Sequence, residues 1–367
     1  MLDGVKAGER VAVAMSGGVD SSVAASLMVE AGYDVIGITL QLYDHGAMLN
    51  KSGACCAGQD IYDARCVADK MNFPHYVLDY ESVFKKSVID DFADAYVKGE
   101  TPLPCVRCNQ KVKFKDLLTT AQELGAKALV TGHYVQRISN NNGKAELHRA
   151  FDHAKDQSYF LFTTMQDQLE YLRFPLGGLS KSETRALAAK FDLKVAEKPD
   201  SQDICFVPNG NYASIVSKLR PGALDAGEIV HVNGTVLGKH NGIINYTIGQ
   251  RKGLGIAYNE PLYVTKIDAA QKRVWVGPKE ALALKEIFLK DVNWLEDQTK
   301  FLDGYNCYVK VRSTHQPVKA KVSKTNSGAL VQFDIPEYGV ANGQACVFYE
   351  NNRVLGGGWI TAEPSAN

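Results

Sequence analysis

The chain has 367 residues, 45% hydrophobic and 22% charged, which suits a globular protein but is long for one hydrophobic core, so two or three domains are expected. Its 41 basic and 41 acidic residues cancel, which argues against an indiscriminate polyanion binder while leaving room for a local basic face. The opening MLDGVKAGER lacks the apolar core of a signal peptide, and no stretch approaches the roughly eighteen apolar residues of a membrane span, so a cytoplasmic protein with no membrane partner is expected.

VAVAM at 11–15 reads as a buried strand, followed by SGGVDSS at 16–22 and a helix whose Val23, Leu27 and Met28 share one face and which Gly32 can end. DVIGITLQL is a second strand, which makes a βαβ unit with a glycine-rich turn after its first strand. The alternation continues through FPHYVLD, a helix from about Ser82 to Val97, a helix over 110–124 and the strand-like AKALVTGHY. Ser180 or Ser182 is a candidate cap for the helix in SKSETRALAAKF. After about residue 215 the character changes: GEIVHVNGTVLGKHNGI, PLYVTKIDAAQKRVWVG, YNCYVKVRS, VKAKVSK, ALVQFD and QACVFYE are short apolar runs broken by turn residues. The predicted organisation is an α/β domain over 1–215, a small central domain over 216–286 and a β domain over 287–367.

In SGGVDSS, Gly17 and Gly18 permit close backbone approach, Ser16, Ser21 and Ser22 add hydroxyls, and the helix that starts at about Val19 offers unpaired N–H groups. These features suit a pyrophosphate. Asp20 is ill-placed to touch phosphate but can orient the loop or help position Mg²⁺. The loop is neither GxGxxG nor GxxxxGK[ST], so the dinucleotide and Walker readings lack their defining residues.

Eight cysteines do not suggest a secreted disulfide framework. Cys307 and Cys346 read as small buried hydrophobes. Cys105 lies in TPLPCVRCNQKVKF ahead of a predicted helix, near Arg107, Lys111 and Lys113, which favour a thiolate. Cys105 and Cys108 form a C-x-x-C pair, which also allows a zinc reading, although further ligands at a zinc-site spacing are missing. Cys205, in KPDSQDICFVPNG, reads from its surroundings as leaving a loop for a buried position.

The loop resembles that of the PP-loop ATPases, which hold the diphosphate of ATP and adenylate a carbonyl-type oxygen. SGGVDSS, TPLPCVRCNQKVKF, TGHY at 131–134, KDQSYFL at 155–161, FPLG at 174–177, SQDICF at 201–206, YTIGQRKGLG at 246–255, GQACVFY and GGGWI together resemble the MnmA family of tRNA 2-thiouridylases. That resemblance implies an N-terminal PP-loop (HUP-like) parallel-sheet domain, a small central domain and a C-terminal β-barrel. It implies ATP and Mg²⁺ as cofactors, with Ser16, Gly17, Gly18, Val19, Asp20, Ser21, Leu40 and Gly132 holding the nucleotide. It also implies Cys205 as persulfide carrier, Cys105 as its catalytic partner with a disulfide between them, and the wobble uridine of Glu, Gln and Lys tRNAs as target. A persulfide-donating relay protein or cysteine desulfurase is the implied sulfur source. RNA contacts are implied for Leu103, His133, Lys155, Asp156, Gln157, Arg312 and Gln344. Two departures stand out: Leu103 where many members have Asn, and Ser313 where a Tyr follows the arginine. Arg251 and Lys252 read equally as phosphate contacts or solvated charge. The rival readings are an iron–sulfur sulfurtransferase on Cys105, Cys108 and Cys205, a small-molecule PP-loop synthetase, and an RNA-binding protein with a dead nucleotide domain.

Overall fold

A computed structural model describes residues 2–43, 56–199, 204–207, 210 and 212–362. The chain divides into two compact units. The first comprises Met1–Ser87, Cys105–Phe206 and Asn352–Val354, and the second Val88–Pro104, Val207–Asn351 and Leu355–Asn367.

The first unit is built on β1 (Arg10–Ala14), β2 (Asp34–Gln41), β3 (His75–Asp79), β4 (Leu129–Val130) and β7 (Leu172–Arg173). They form a parallel sheet in the order β3-β2-β1-β4-β7. Helices α1 (Val19–Glu30) and α2 (Cys56–Met71) follow β1 and β2. The central strands are apolar almost throughout because a parallel sheet is covered on both faces. Val11, Val13, Val23, Ala24, Ala25, Val35 and Val130 share its core. Small residues on α1, among them Ser22, Ala24, Ala25 and Ser26, are fully buried, so this helix lies close to its neighbours. Gly32, at φ +79°, ends it in the left-handed conformation expected there.

Helical chain continues through α3 (Glu81–Phe84) and α4 (Asp90–Val97), the latter in the second unit. The helix expected over 110–124 starts earlier, as α5 (Pro104–Cys108), runs through a π-helical stretch Asn109–Leu117 and ends as α6 (Leu118–Glu123). Pro104 can open it because a first-turn residue has no helical partner for an N–H. Cys105 therefore sits inside the first turn rather than ahead of it. An antiparallel hairpin, β5 (Val135–Ser139) and β6 (Ala145–Arg149), pairs His148 with Arg353. Helices α7 (Gln166–Tyr171) and α8 (Lys181–Lys190) complete the unit. Ser180 caps α8: Glu183 N–H donates to its Oγ at 3.3 Å and Ser180 N–H to Glu183 Oε2 at 2.7 Å.

In the second unit, α9 (Tyr212–Leu219) precedes a sheet ordered β10-β11-β8-β9. The strands are β8 (Ala226–His231), β9 (Val236–Asn241), β10 (Tyr263–Asp268) and β11 (Arg273–Gly277), and β8–β9 and β10–β11 are antiparallel pairs. The rest is β12 (Ala283–Trp294), β13 (Tyr305–Lys310), β14 (Val318–Thr325), β15 (Gly328–Tyr338), β16 (Ala345–Glu350) and β17 (Arg353–Thr361). They run β12-β15-β14-β13-β16-β17, and β17 pairs back to β12, closing a barrel that removes exposed edges. Phe301, Val309, Val322, Val331, Cys346 and Phe348 fill it, so Cys346 and Cys307 are the buried hydrophobes expected.

Candidate active site

The sheet order reverses between β1 and β4, and ligands of open parallel sheets bind beyond the carboxyl ends of strands at such a point. The loop 16–22 leaves β1 there, and Thr131–Tyr134 leaves β4. Leu40 stands at the same end of β2, half-buried.

The loop's own chemistry divides its residues. Ser21 Oγ accepts Ser16 N–H at 3.1 Å and lies 3.2 Å from Ser16 Oγ, and Ser22 Oγ donates to the Gly18 carbonyl at 2.8 Å. The serines brace the turn. Gly17 has φ +71°, and a Cβ there would lie 2.1 Å from the Asp60 carbonyl oxygen of α2. A Cβ on Gly132 would lie 2.8 Å from Asp20 C and Ser21 N. Both glycines are therefore required by packing. Gly18 differs: its backbone is extended, and an added Cβ would meet only Ser16 Oγ, at 3.6 Å. As N-cap of α1 it provides no side-chain cap, so first-turn amides beside it remain available to an anion.

Asp20 is held rather than open. Lys181 Nζ donates to both its carboxylate oxygens, at 2.8 and 2.9 Å, and the buried Tyr134 hydroxyl donates to Oδ1 at 2.8 Å. Tyr134 Oη also lies 2.9 Å from Thr184 Oγ1. Lys181 and Tyr134 belong to segments quoted for a helix cap and for a strand end. Neither spacing nor composition signals that both converge on Asp20.

Cys105 and Cys205 are exposed, and Cys108 is buried. The three are near enough to feel one another's charge. Burial, then Cys105, raises the Cys108 thiol, with Lys113 opposing. Although Cys205 is exposed at the surface, dense surrounding protein, then Cys108 and Cys105, pushes its thiol up to about 12 against the pull of Lys113 and a hydrogen bond from Tyr43. Cys205 is thus held as a thiol at neutral pH. Next to it Phe206 is buried and packs edge-on against Phe84 at 5.8 Å, so the turn toward the interior expected at Cys205 occurs one residue later. Cys55, Ser201, Gln202 and Asp203 lie outside the described residues. Among the described residues no group of three or more His, Cys, Asp or Glu is arranged to hold a metal ion.

His133 is a neutral ring between Phe114 and Phe174, with centroids 5.9 and 6.5 Å away. Burial, then Lys113, depresses its pKa to about 3, and Nδ1 lies 2.8 Å from Thr131 Oγ1. Asp156 is committed to the fold: Arg149 Nε reaches Oδ2 at 3.0 Å, Ala150 and Ser158 N–H groups donate to Oδ1, and its side chain is 1% exposed. Gln157 exchanges bonds with Tyr134, accepting its N–H on Oε1 at 2.9 Å, which fixes the amide plane and leaves the NH₂ as its remaining donor. Lys155 stands half-buried in the same turn.

The other implied RNA contacts, Leu103, Arg312 and Gln344, lie in the second unit. Gln344 Nε2 donates to the Thr101 carbonyl at 3.1 Å, and Thr101 N–H donates to Asn342 O at 2.8 Å, so Gln344 lies beside the segment leading to Leu103. Arg312 is elsewhere in that unit, donating to the Gly339 and Ile248 carbonyls.

The chain has relatives that match it over nearly its whole length. A protein of Rickettsia massiliae described as tRNA-specific 2-thiouridylase MnmA is 63% identical over 96% of this chain and 97% of its own. The proteins of that name from Rickettsia felis and Rickettsia canadensis are each 62% identical over 96% of this chain and 97% and 96% of theirs. The chain belongs to the MnmA family. Residues 9–209 match the family described as tRNA methyl transferase HUP domain, 218–278 the tRNA methyl transferase PRC-barrel domain, and 284–360 the Aminomethyltransferase beta-barrel domain. Among solved structures, a 4-thiouridine synthetase–RNA complex with bound ATP aligns at 13% identity over 57% of this chain and 53% of that one, with a TM-score of 0.36, too slight a likeness to bear on function. In this MnmA-family chain the loop 16–22 and Cys105, Cys108 and Cys205 share one compact unit.

Proposed function

We propose that this chain is a tRNA 2-thiouridylase that uses ATP to adenylate the 2-oxygen of a uridine and replaces that oxygen with sulfur carried on Cys205. The observation that carries this reading is the SGGVDSS loop at the sheet's switch point in the same unit as the Cys105–Cys108–Cys205 cluster. The methyl-transferase wording of two family descriptions fits these residues less well, since transfer of a methyl group calls for neither a pyrophosphate cradle nor a second cysteine.

The 2-oxygen of uridine is a poor leaving group. Its attack on the α-phosphorus of ATP releases pyrophosphate and converts it to an AMP ester. Gly18 and the first-turn amides of α1 offer the cradle for the departing charge. Mg²⁺ would supply charge neutralisation on the phosphates, while Asp20, with both oxygens engaged by Lys181, orients the loop. Cys205 presents the outer sulfur of its persulfide to C2, and AMP leaves. A Cys105 thiolate attacking the Cys205 sulfur forms the Cys105–Cys205 disulfide, frees the outer sulfur with its electron pair, and leaves a disulfide that an external thiol must reduce. The cytoplasmic setting, the wobble position, the Glu, Gln and Lys tRNAs and a persulfide-donating relay protein or cysteine desulfurase complete the reading. Its working division of the chain is 1–215 for ATP binding and catalysis, 216–286 as a small central domain and 287–367 as a β-barrel. Lys155, Gln157, His133, Leu103, Arg312 and Gln344 contribute RNA contacts, with Asp156 acting through its main chain.

The test is nucleoside mass spectrometry after incubation with unmodified tRNA, Mg-ATP and a persulfide donor. Wild type should yield 2-thiouridine. Cys205→Ser should bind ATP and tRNA yet transfer no donor sulfur, Cys105→Ser should load Cys205 but deliver at least about tenfold more slowly, and Cys108→Ser should retain transfer. A Cys205→Ser protein working at the wild-type rate defeats the mechanism. Iron at the cysteines, with activity lost on its removal, would favour the cluster-based alternative.

A further inference from the structure

The connection between β9 and β10, which contains YTIGQRKGLG, lines a cavity of about 250 Å³ to which the reaction above gives no part. Sequence leaves Arg251 and Lys252 balanced between phosphate contact and solvated charge. The fold separates them: Arg251 lines the cavity and Lys252 does not. The turn that presents them is well braced. Gln250 uses both ends of its amide on it, accepting Thr247 N–H on Oε1 at 3.0 Å and donating from Nε2 to the Lys252 carbonyl at 3.0 Å. Gly249 N–H donates to Val264 O of β10 at 2.8 Å, and Val264 N–H donates to Gln250 O at 3.0 Å.

An aromatic ring forms another part of the wall. Tyr258 stacks on the ring of His231, at the end of β8, with centroids 5.3 Å apart and planes 26° apart. His231 is buried, and its Nδ1 accepts Asn233 N–H at 3.3 Å. The tyrosine ring is thus backed by protein on one face, while 42% of the residue stays exposed. Leu254 and Leu262 are buried and give the lining an apolar part. Gly255, at φ +68°, adds bare backbone, since a Cβ there would meet nothing within 4 Å. Glu260 belongs to the same lining, and among the described residues neither it nor Arg251 is engaged in an ion pair.

A backed aromatic face, one cation and one carboxylate around so small a volume suit a flat ring that carries an anion and an N–H donor. A nucleotide has that chemistry: its base stacks, an exocyclic amine donates to the carboxylate, and its phosphate meets the guanidinium. We propose that this cavity is a subsite for one unstacked nucleotide of the RNA, with Tyr258 against its base, Arg251 on its phosphate and Glu260 on an amino group of the base. The proposal rests on the thiolation reading above, which supplies the RNA. Single-stranded RNA is commonly recognised through bases splayed onto aromatic rings. A carboxylate selects against uracil, whose edge presents a carbonyl on each side of its one N–H. The nucleotide held here is therefore not the uridine that is thiolated, and the subsite positions the RNA without touching the reacting atoms.

The experiment measures tRNA affinity against salt concentration, and ATP affinity beside it, for the full-length wild type and five variants. Arg251→Met should weaken tRNA binding about tenfold and lower the salt slope by about one, whereas Lys252→Met, which loses the same charge one position away, should stay within about twofold. Tyr258→Ala should weaken binding about tenfold with the slope unchanged, and Tyr258→Phe, which keeps the stack, should bind as wild type does. Glu260→Ala should weaken binding about threefold, although removing a negative charge from an RNA-binding surface ordinarily strengthens it. Equal losses in Arg251→Met and Lys252→Met, wild-type binding by Tyr258→Ala, or tighter binding by Glu260→Ala overturns the proposal and leaves the thiolation reading standing. Weaker ATP binding in Tyr258→Ala would assign the cavity to a free nucleotide and overturn it equally. Should Tyr258→Ala fail to fold, the exposed Arg251 and Lys252 carry the comparison, and equal losses there have the same force. A wild type that neither binds tRNA nor makes 2-thiouridine sinks the thiolation reading and this inference together.

Discussion

An aspartate beside a phosphate site repels its ligand unless its charge is balanced, and Lys181 balances Asp20 through both carboxylate oxygens. Lys181→Met should therefore raise the KM for ATP by roughly tenfold, an unpaired charge at a few ångströms in a partly screened site. Asp20→Asn combined with Lys181→Met should recover part of that loss, because it removes the stranded charge. Pyrophosphate release in the presence of tRNA measures both, and a double variant worse than the single one would refute the charge-balance argument. His133 makes a second residue-scale claim. Its pKa falls below the ordinary value, to about 3, so the neutral ring contributes stability that is complete above about pH 6.5 and is lost as pH falls toward 3. Melting temperatures of wild type and His133→Asn should converge across that window. A constant difference from pH 7 to pH 4 would show that the ring is not desolvated as described.

At the scale of elements, the loop's two glycines have opposite reasons to be glycine. Sequence gives Gly17 and Gly18 the same role, close approach of a ligand. In the fold the partner that approaches Gly17 is the Asp60 carbonyl of α2, a contact between residues 43 positions apart that no local pattern encodes. Gly17→Ala should consequently lower the melting temperature as well as ATP use. Gly18→Ala should leave the melting temperature within a degree or two while raising the KM for ATP, because its Cβ enters the open cradle. Thermal unfolding beside pyrophosphate-release kinetics separates the two, and a Gly18→Ala protein with wild-type kinetics would remove Gly18 from the site. What local sequence does encode, it encodes well. The strand–loop–helix around SGGVDSS, the Ser180 cap, the Asn-Gly hairpin of β8 and β9 and the barrel strands are all set by short-range chemistry. The pairing of Lys181 to Asp20, the engagement of Asp156 by Arg149 and the early start of α5 depend on tertiary neighbours or on one proline's freedom at a helix start.

For the molecule as a whole, the least legible feature is the company kept by Val88–Pro104. Its helical pattern is visible in sequence, but its membership in the compact unit of 207–351 rests on distant partners. Arg220 joins Asp90 and Asp94 and holds the Asp94 carboxyl below its usual range, chiefly through the hydrogen bond. Thr101 is gripped by Asn342 and Gln344, and Gly343, at φ +83°, has Glu100 Cβ and the Thr101 backbone 3.0 to 3.2 Å from where its Cβ would stand. This junction offers a test of how labour is divided along the chain. Gly343→Val imposes a strained backbone and a clash on the stretch that leads to Leu103, while every loop residue assigned to ATP belongs to the other unit. ATP affinity measured without RNA should stay within about twofold of wild type, since substitutions that share no partner with a site act independently of it. Affinity for tRNA and the single-turnover thiolation rate should both fall about tenfold, as one displaced segment removes more than one positioning contact. Equal losses in ATP and tRNA binding would mean that the segment supports the nucleotide site as well. Normal tRNA binding and thiolation in a folded Gly343→Val protein would instead remove Leu103 and Gln344 from the RNA-contacting surface.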